Sequence, residues 1–176
     1  MSTIHFEAEL FKIGSWTLLS LPKSASTELP SRGMTMVEGT INGSPFKAAL
    51  EPDGKGSHWL RVDEIMREGA GADAGDTGNT VMLAIEPARE WTEPTLPEDL
   101  KGALEADPQT HALWMDCTTM ARWDWLRWIN ATTQQETRMR RIEVAFSKLN
   151  SGMRRPCCFN RSMCTEPYVS KNGRLL

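Results

Sequence analysis

The sequence predicts an α+β protein: a small six-stranded β barrel followed by a helical domain. Three observations predict it. Six short segments with strand character, separated by tight turns, fall within the first 85 or so residues. Pro87, Pro94 and Pro97 then mark a linker. Beyond it, helix-start signals and apolar residues at i, i+3, i+4 spacing replace the alternation. Barrel closure suits so many short strands, because it removes exposed edges.

The elements follow in order. Ile4–Phe11 alternates, with Ile4, Phe6, Ala8 and Leu10 on one face and His5, Glu7 and Glu9 on the other. Trp16–Leu21 is a second strand, stopped by Pro22. Ser24–Arg32 is polar and reads as a turn of helix and a loop. Thr35–Ile41 is the third strand. Asn42-Gly43 signals a type I′ hairpin, whose central residues need positive φ, and Phe46–Leu50 returns as its partner. Asp53-Gly54-Lys55-Gly56 makes another turn before a fifth strand, His58–Val62. Asp63 caps a short helix to Glu68. Gly69–Gly78 is loop, and Thr80–Ile85 is the sixth strand. Thr95-Leu96-Pro97-Glu98 is a capping box with proline in the first turn. Asp107-Pro108 restarts a helix through Trp114, and Met120–Asn130 forms the next. Thr133-Gln134-Gln135-Glu136 is a second capping box. The helix it opens carries Ile142, Ala145, Phe146 and Leu149 on its inner face, and Ser151-Gly152 ends it. The expected divisions are a barrel over 1–88, a helical domain over 95–155, and an extended or partly disordered Cys/Arg-containing tail over 156–176.

Charge is distributed unevenly. Residues 1–90 hold 8 basic and 13 acidic side chains, whereas residues 120–176 hold 11 basic and 4 acidic ones. The C-terminal third is therefore expected to be positive. The N-terminal MSTIHFEAELFKIG lacks the basic start and apolar run of a secretory signal. No stretch approaches the roughly 18 apolar residues of a membrane span. The expectation is a cytoplasmic protein with reduced thiols.

The segment richest in chemistry is WDWLRWINATTQQETRMRR, Trp123 to Arg141. Trp114, Trp123, Trp125 and Trp128 suit either a stacking pocket or a bundle core built on large rings. Arg138, Arg140 and Arg141, with Arg154 and Arg155, suit bidentate anion binding, or pairing with Glu136, Glu143 or Asp124 and exposure to water. The candidate ligand residues are Trp125, Trp128, Thr137, Arg138 and Arg141, and the candidate anion residues are Arg140, Arg154 and Arg155. Cys157, Cys158 and Cys164, with Cys117 upstream, lack the paired spacing of a zinc site. They read as a redox-sensitive or simply reduced thiol cluster, and a low pKa at Cys157 and Cys158 would be helped by Arg154 and Arg155 nearby. Gly54-Lys55-Gly56-Ser57-His58 has the residues of a phosphate loop without its spacing or following helix, and a hairpin turn accounts for it. His5, His58 and His111 are scattered. No catalytic residue, metal or cofactor is assigned.

Two residue patterns resemble known families. Phe6-Glu7-Ala8-Glu9-Leu10, Leu21-Pro22, Val37-x-Gly39-Thr40-Ile41-Asn42-Gly43-x-Pro45-Phe46 and the Gly75-Asp76 turn resemble an uncharacterised bacterial small-barrel domain related to AbrB-like double-split barrels. Pro97-x-Asp99-Leu100-x-x-Ala103-Leu104, Trp114, Trp128-Ile129 and Glu136-Thr137-Arg138-x-Arg140-Arg141-Ile142 resemble the YdeI/OmpD-associated (OmdA-like, bacteriocin-protection) domain. Together they cover residues 4–155 or so. The resemblance implies the fold, the domain order and a stress or bacteriocin-protection role. The family's usual lysine before Glu-Thr-Arg is absent here, where the chain has Ala131-Thr132-Thr133, so a role resting on that lysine does not carry over.

The combined expectation is a non-enzymatic protein binding an anionic small molecule or a partner protein at the barrel–helix junction. Nucleic-acid binding, by fold analogy, and an enzyme with a site at that junction are the alternatives.

Overall fold

A computed structural model describes residues 3–71, 78–156 and 165–176. The chain forms two compact units. One comprises residues 1–90 together with 168–176, and the other comprises 91–167.

The first unit is an antiparallel sheet curved as a half-barrel. Its strands are β1 (Ile4–Glu9), β2 (Phe11–Ile13), β3 (Trp16–Ser20), β4 (Thr35–Ile41), β5 (Ser44–Pro52), β6 (His58–Arg61) and β7 (Thr80–Pro87). Two short helices, α1 (Lys23–Thr27) and α2 (Glu64–Ala70), interrupt them. The order across the sheet is β1-β7-β4-β5-β6-β3-β2. Seven strands stand where six were expected, because the first predicted strand changes partner at Leu10. Up to Glu9 it pairs with β7. Leu10 still exchanges backbone bonds with Gly78 and Asn79, and Phe11–Ile13 then pairs with β3. The two edges of the sheet are thus consecutive pieces of one strand, which draws the sheet into its curve. The apolar alternation runs through Leu10 unbroken, so sequence periodicity carries no mark of the switch.

The hairpin between β4 and β5 forms at Asn42-Gly43, with φ of 48° and 84° and Ile41 opposite Ser44. Asn42 ties the turn down further: its Oδ1 accepts from the Met82 N–H at 2.8 Å and its Nδ2 donates to the Ala70 carbonyl at 3.2 Å. Gly39 is required for a different reason. A Cβ there would overlap the Ala84 carbonyl and lie 2.8 Å from the Ile85 Cα. Ile4, Leu10, Leu19, Val37, Ile41, Leu60, Val81 and Ile85 fill the core inside the curve.

The outer face of β2, β3 and β6 is apolar as well. Phe11, Ile13, Trp16, Leu18 and Trp59 lie there with Val169 and Leu175. The latter two belong to a terminal hairpin, β8 (Ser170–Lys171) and β9 (Arg174–Leu175). Leu175 N–H donates to the Asp53 carbonyl at 2.9 Å. Residues 168–176, expected to be extended or partly disordered, therefore fold as part of the first unit.

The second unit holds α3 (Glu98–Glu105), α4 (Pro108–Met115), α5 (Thr119–Asn130) and α6 (Gln135–Asn150). Leu100, Leu104, Trp114, Trp125, Ile129, Ile142, Ala145 and Leu149 form its core. Side-chain caps from Asp107 and Thr118 open α4 and α5. The two expected capping boxes do not form. Pro97 and Gln134 occupy the cap positions of α3 and α6, with no side-chain bond. Thr132 instead accepts the Gln134 N–H at 3.1 Å.

Candidate functional site

The candidate ligand residues meet where the C-terminal half of α5 adjoins the N-terminal half of α6. Trp125 is fully buried and donates its indole N–H to the Arg154 carbonyl at 3.1 Å. Trp128 meets it edge-on, with ring centroids 6.3 Å apart and planes at 61°, and remains half-buried. Arg141, half-buried on α6, donates to the Trp128 carbonyl at 2.6 Å. Its guanidinium lies 5.5 Å from the centre of the same indole, within cation–π range. Thr137 is one helical turn before Arg141 on the same face.

Arg138 joins this group but is already engaged. Its Nε and Nη2 reach Asp99 at 2.5 and 3.0 Å, and its Nη1 reaches Asn130 Oδ1 at 2.6 Å. That hydrogen bonding holds the Asp99 carboxyl below the usual carboxylate range. Arg141 differs, because none of its hydrogen bonds or ion pairs among the described residues goes to a carboxylate.

The candidate anion residues do not join the group. Arg140 is exposed on α6. Arg154 and Arg155 follow the end of α6; the Arg154 backbone carbonyl meets Trp125, but the two guanidiniums turn to carboxylates. Arg154 pairs with Asp116 at 2.9 Å and Arg155 with Asp124 at 3.1 Å. Of the carboxylates expected from sequence, Asp124 receives an arginine. Cys157, Cys158, Cys164 and the Gly75-Asp76 turn lie outside the described residues.

Two arrangements escaped sequence reasoning. Arg122 is buried in the second unit. It holds Glu93 through Nε at 2.9 Å and through Nη2. Its Nη1 gathers the carbonyls of Cys117, of Met115 at 3.3 Å and of Trp114 at 3.4 Å, so it closes the C-terminal end of α4. The Glu93 carboxyl is held low by this bond. Burial pushes the nearby Cys117 thiol up, the state of an inert structural cysteine.

The other arrangement is a serine–histidine pair in the first unit. His58 Nδ1 lies 2.7 Å from Ser26 Oγ, and Nε2 lies 2.8 Å from the Gly33 carbonyl. A carbonyl only accepts, so Nε2 carries the proton and Nδ1 accepts the serine hydroxyl. Both residues are fully buried. Arg32 donates to the Ser26 carbonyl, and to its Oγ at 3.3 Å. The pair pins α1 and the segment after it to β6, and its burial keeps it from any substrate. The glycine-rich turn before it is closed by Asp53, whose Oδ1 accepts from the Lys55 and Ser57 amides at 2.7 and 2.9 Å. That is the turn chemistry expected of the sequence.

With this geometry in place, comparison with known families gives two matches. Residues 6–82 match a domain of unknown function (DUF1905). Residues 93–152 match the family described as bacteriocin-protection, YdeI or OmpD-associated. No curated protein matches the chain.

Proposed function

This chain belongs to the YdeI/OmpD-associated family, with a domain of unknown function preceding the family domain, and from that premise we propose that it is a non-enzymatic, cytoplasmic binding protein with a bacteriocin-protection-related role. Its helical unit takes an anionic group, carried by a small molecule or by a partner protein, at Arg141. One observation carries this reading: the Arg141 guanidinium is fixed in place by the carbonyl and ring of Trp128, with no carboxylate among the described residues to neutralise it. A planar guanidinium held this way keeps further N–H donors for two oxygens of one anion. Thr137 lies beside it on the helix, and Trp125 holds Trp128 from behind. Arg138, paired with Asp99, borders the site without adding net charge. The same reading takes the curved sheet as the double-split, AbrB-like type, supported by the strand shared between its two edges.

The test is thermal unfolding of the full chain with inorganic phosphate, phosphorylated metabolites and acidic peptides, for the wild type and Arg141→Gln. A ligand that binds only the folded protein raises the midpoint as its concentration grows. The expected result is a rise in wild type that Arg141→Gln reduces by about 10- to 100-fold in affinity, the worth of a charged hydrogen bond. An equal rise in both proteins refutes the assignment. Conversion of the bound ligand to a new compound refutes the non-enzymatic part.

A further inference from the structure

We propose a second binding site, in the first unit, for a nucleobase-bearing phosphate: the exposed stack Arg61–Trp16–Tyr168 on the outer face of β3 and β6. It is independent of Arg141 and of the helical unit. The Arg61 guanidinium carbon lies 3.9 Å from the centre of the Trp16 ring. Tyr168 is stacked on the same indole, with planes 27° apart and centroids 6.4 Å apart. Trp59 supports Trp16 from the interior, 6.5 Å away and tilted by 56°, and is 3% exposed. A buried base thus holds a platform whose outermost ring, Tyr168, is 63% exposed.

Charge selects the ligand. Strands β2, β3, β6, β8 and β9 contain no aspartate or glutamate. Arg61 projects beside the stack, and Lys171 and Arg174 face each other across the terminal hairpin, all three exposed. None of the three has an ion pair among the described residues. The nearest ladder carboxylate is Glu51 on β5, in register with Trp59. The remaining strands of the same sheet carry Glu7, Glu9, Glu38, Glu51 and Glu86. The strands of that side are therefore aromatic and cationic while the others carry the carboxylates; off the strands, Asp63 and Glu64 follow β6 and Glu166 precedes Tyr168. Aromatic faces take any base by stacking, and arginine and lysine take the phosphates. The base stacks on Tyr168, and its phosphate meets Arg61, Lys171 and Arg174.

The experiment is a titration of the full chain, followed by tryptophan fluorescence, with adenosine monophosphate, an eight-residue oligothymidylate and inorganic phosphate in parallel. Quenching by the nucleotide or the oligonucleotide, and none by phosphate, is expected. A tighter oligonucleotide, with log affinity falling against log salt with a slope of about −2 for three cations, identifies a single strand as the source. Equal binding of the mononucleotide identifies a free nucleotide. Tyr168→Ala should weaken either by about 5- to 150-fold, the worth of one stacked base. Tyr168→Ala can loosen the hairpin, so Lys171→Gln is measured as well, and should lower the salt slope by about 0.7 without moving the melting temperature. No response to either base-bearing ligand overturns the proposal. So does phosphate binding as tightly as the nucleotide, or binding unchanged in Tyr168→Ala and Lys171→Gln.

Discussion

Acid should loosen the first unit through His58, and the direction follows from its surroundings. Burial, chiefly, pushes the imidazole pKa down, and Arg32 pushes it the same way, while the Gly33 carbonyl and Asp53 oppose both. The folded pKa is therefore below the unfolded one, about 6.5. As pH falls through that window the unfolded chain takes up a proton that the folded chain refuses. Stability is then fully present above the unfolded pKa and is lost as pH falls toward the folded one. A single proton gives at most about 1.4 kcal/mol per pH unit. Protonation would also put a hydrogen on Nδ1, which accepts from Ser26 at 2.7 Å. His58→Gln should remove this slope and lower stability at neutral pH by about 1–3 kcal/mol, since Ser26 and the Gly33 carbonyl are left poorly paired. Urea unfolding of both proteins between about pH 5 and 7, followed by tryptophan fluorescence, measures the difference. Subtracting the variant isolates His58 from His5 and His111. Parallel pH profiles for the two proteins would refute the reasoning.

Other outcomes follow from single contacts. Gly39→Ala should lower stability by about 1–3 kcal/mol or more, seen as a lower melting temperature, because the new methyl meets backbone rather than a movable side chain. Arg122→Met keeps the apolar stem but frees the carbonyls at the end of α4 and the Glu93 carboxylate. A loss of about 2–4 kcal/mol is expected in denaturant titration. Thr118→Ala removes the side-chain cap of α5, which accepts from Ala121 at 3.1 Å, and should cost about 1 kcal/mol by the same assay. Arg140→Ala, at an exposed position, should stay within about 0.5 kcal/mol of wild type and serves as the control.

How much of this was legible depended on the range of the interactions involved. The Asn42-Gly43 hairpin, the Asp63 cap of α2 and the restart of a helix at Pro108 are decided within four residues, by positive φ, side-chain capping and a fixed proline φ. The inner face of α6 at Ile142, Ala145 and Leu149 follows from a 3.6-residue period. All of these stand in the structure as the residues imply, as does the α+β order of sheet and helices. The capping boxes failed because the Thr95 and Thr133 patterns named starts that the chain places two residues later at α3 and one residue later at α6.

The sequence by itself thus determined the local elements, their order and the supply of arginines and tryptophans in the second unit. Only the tertiary structure decided what those arginines do. Arg138 finds Asp99, 39 residues away, and Arg122 finds Glu93, 29 away. A guanidinium accepts any carboxylate that packing delivers, so residue type names no partner. The switch of the first strand at Leu10 and the addition of 168–176 to the first unit are likewise set by which backbones lie side by side. Alternating side chains record which face is buried, and they carry no information about the neighbour that buries it.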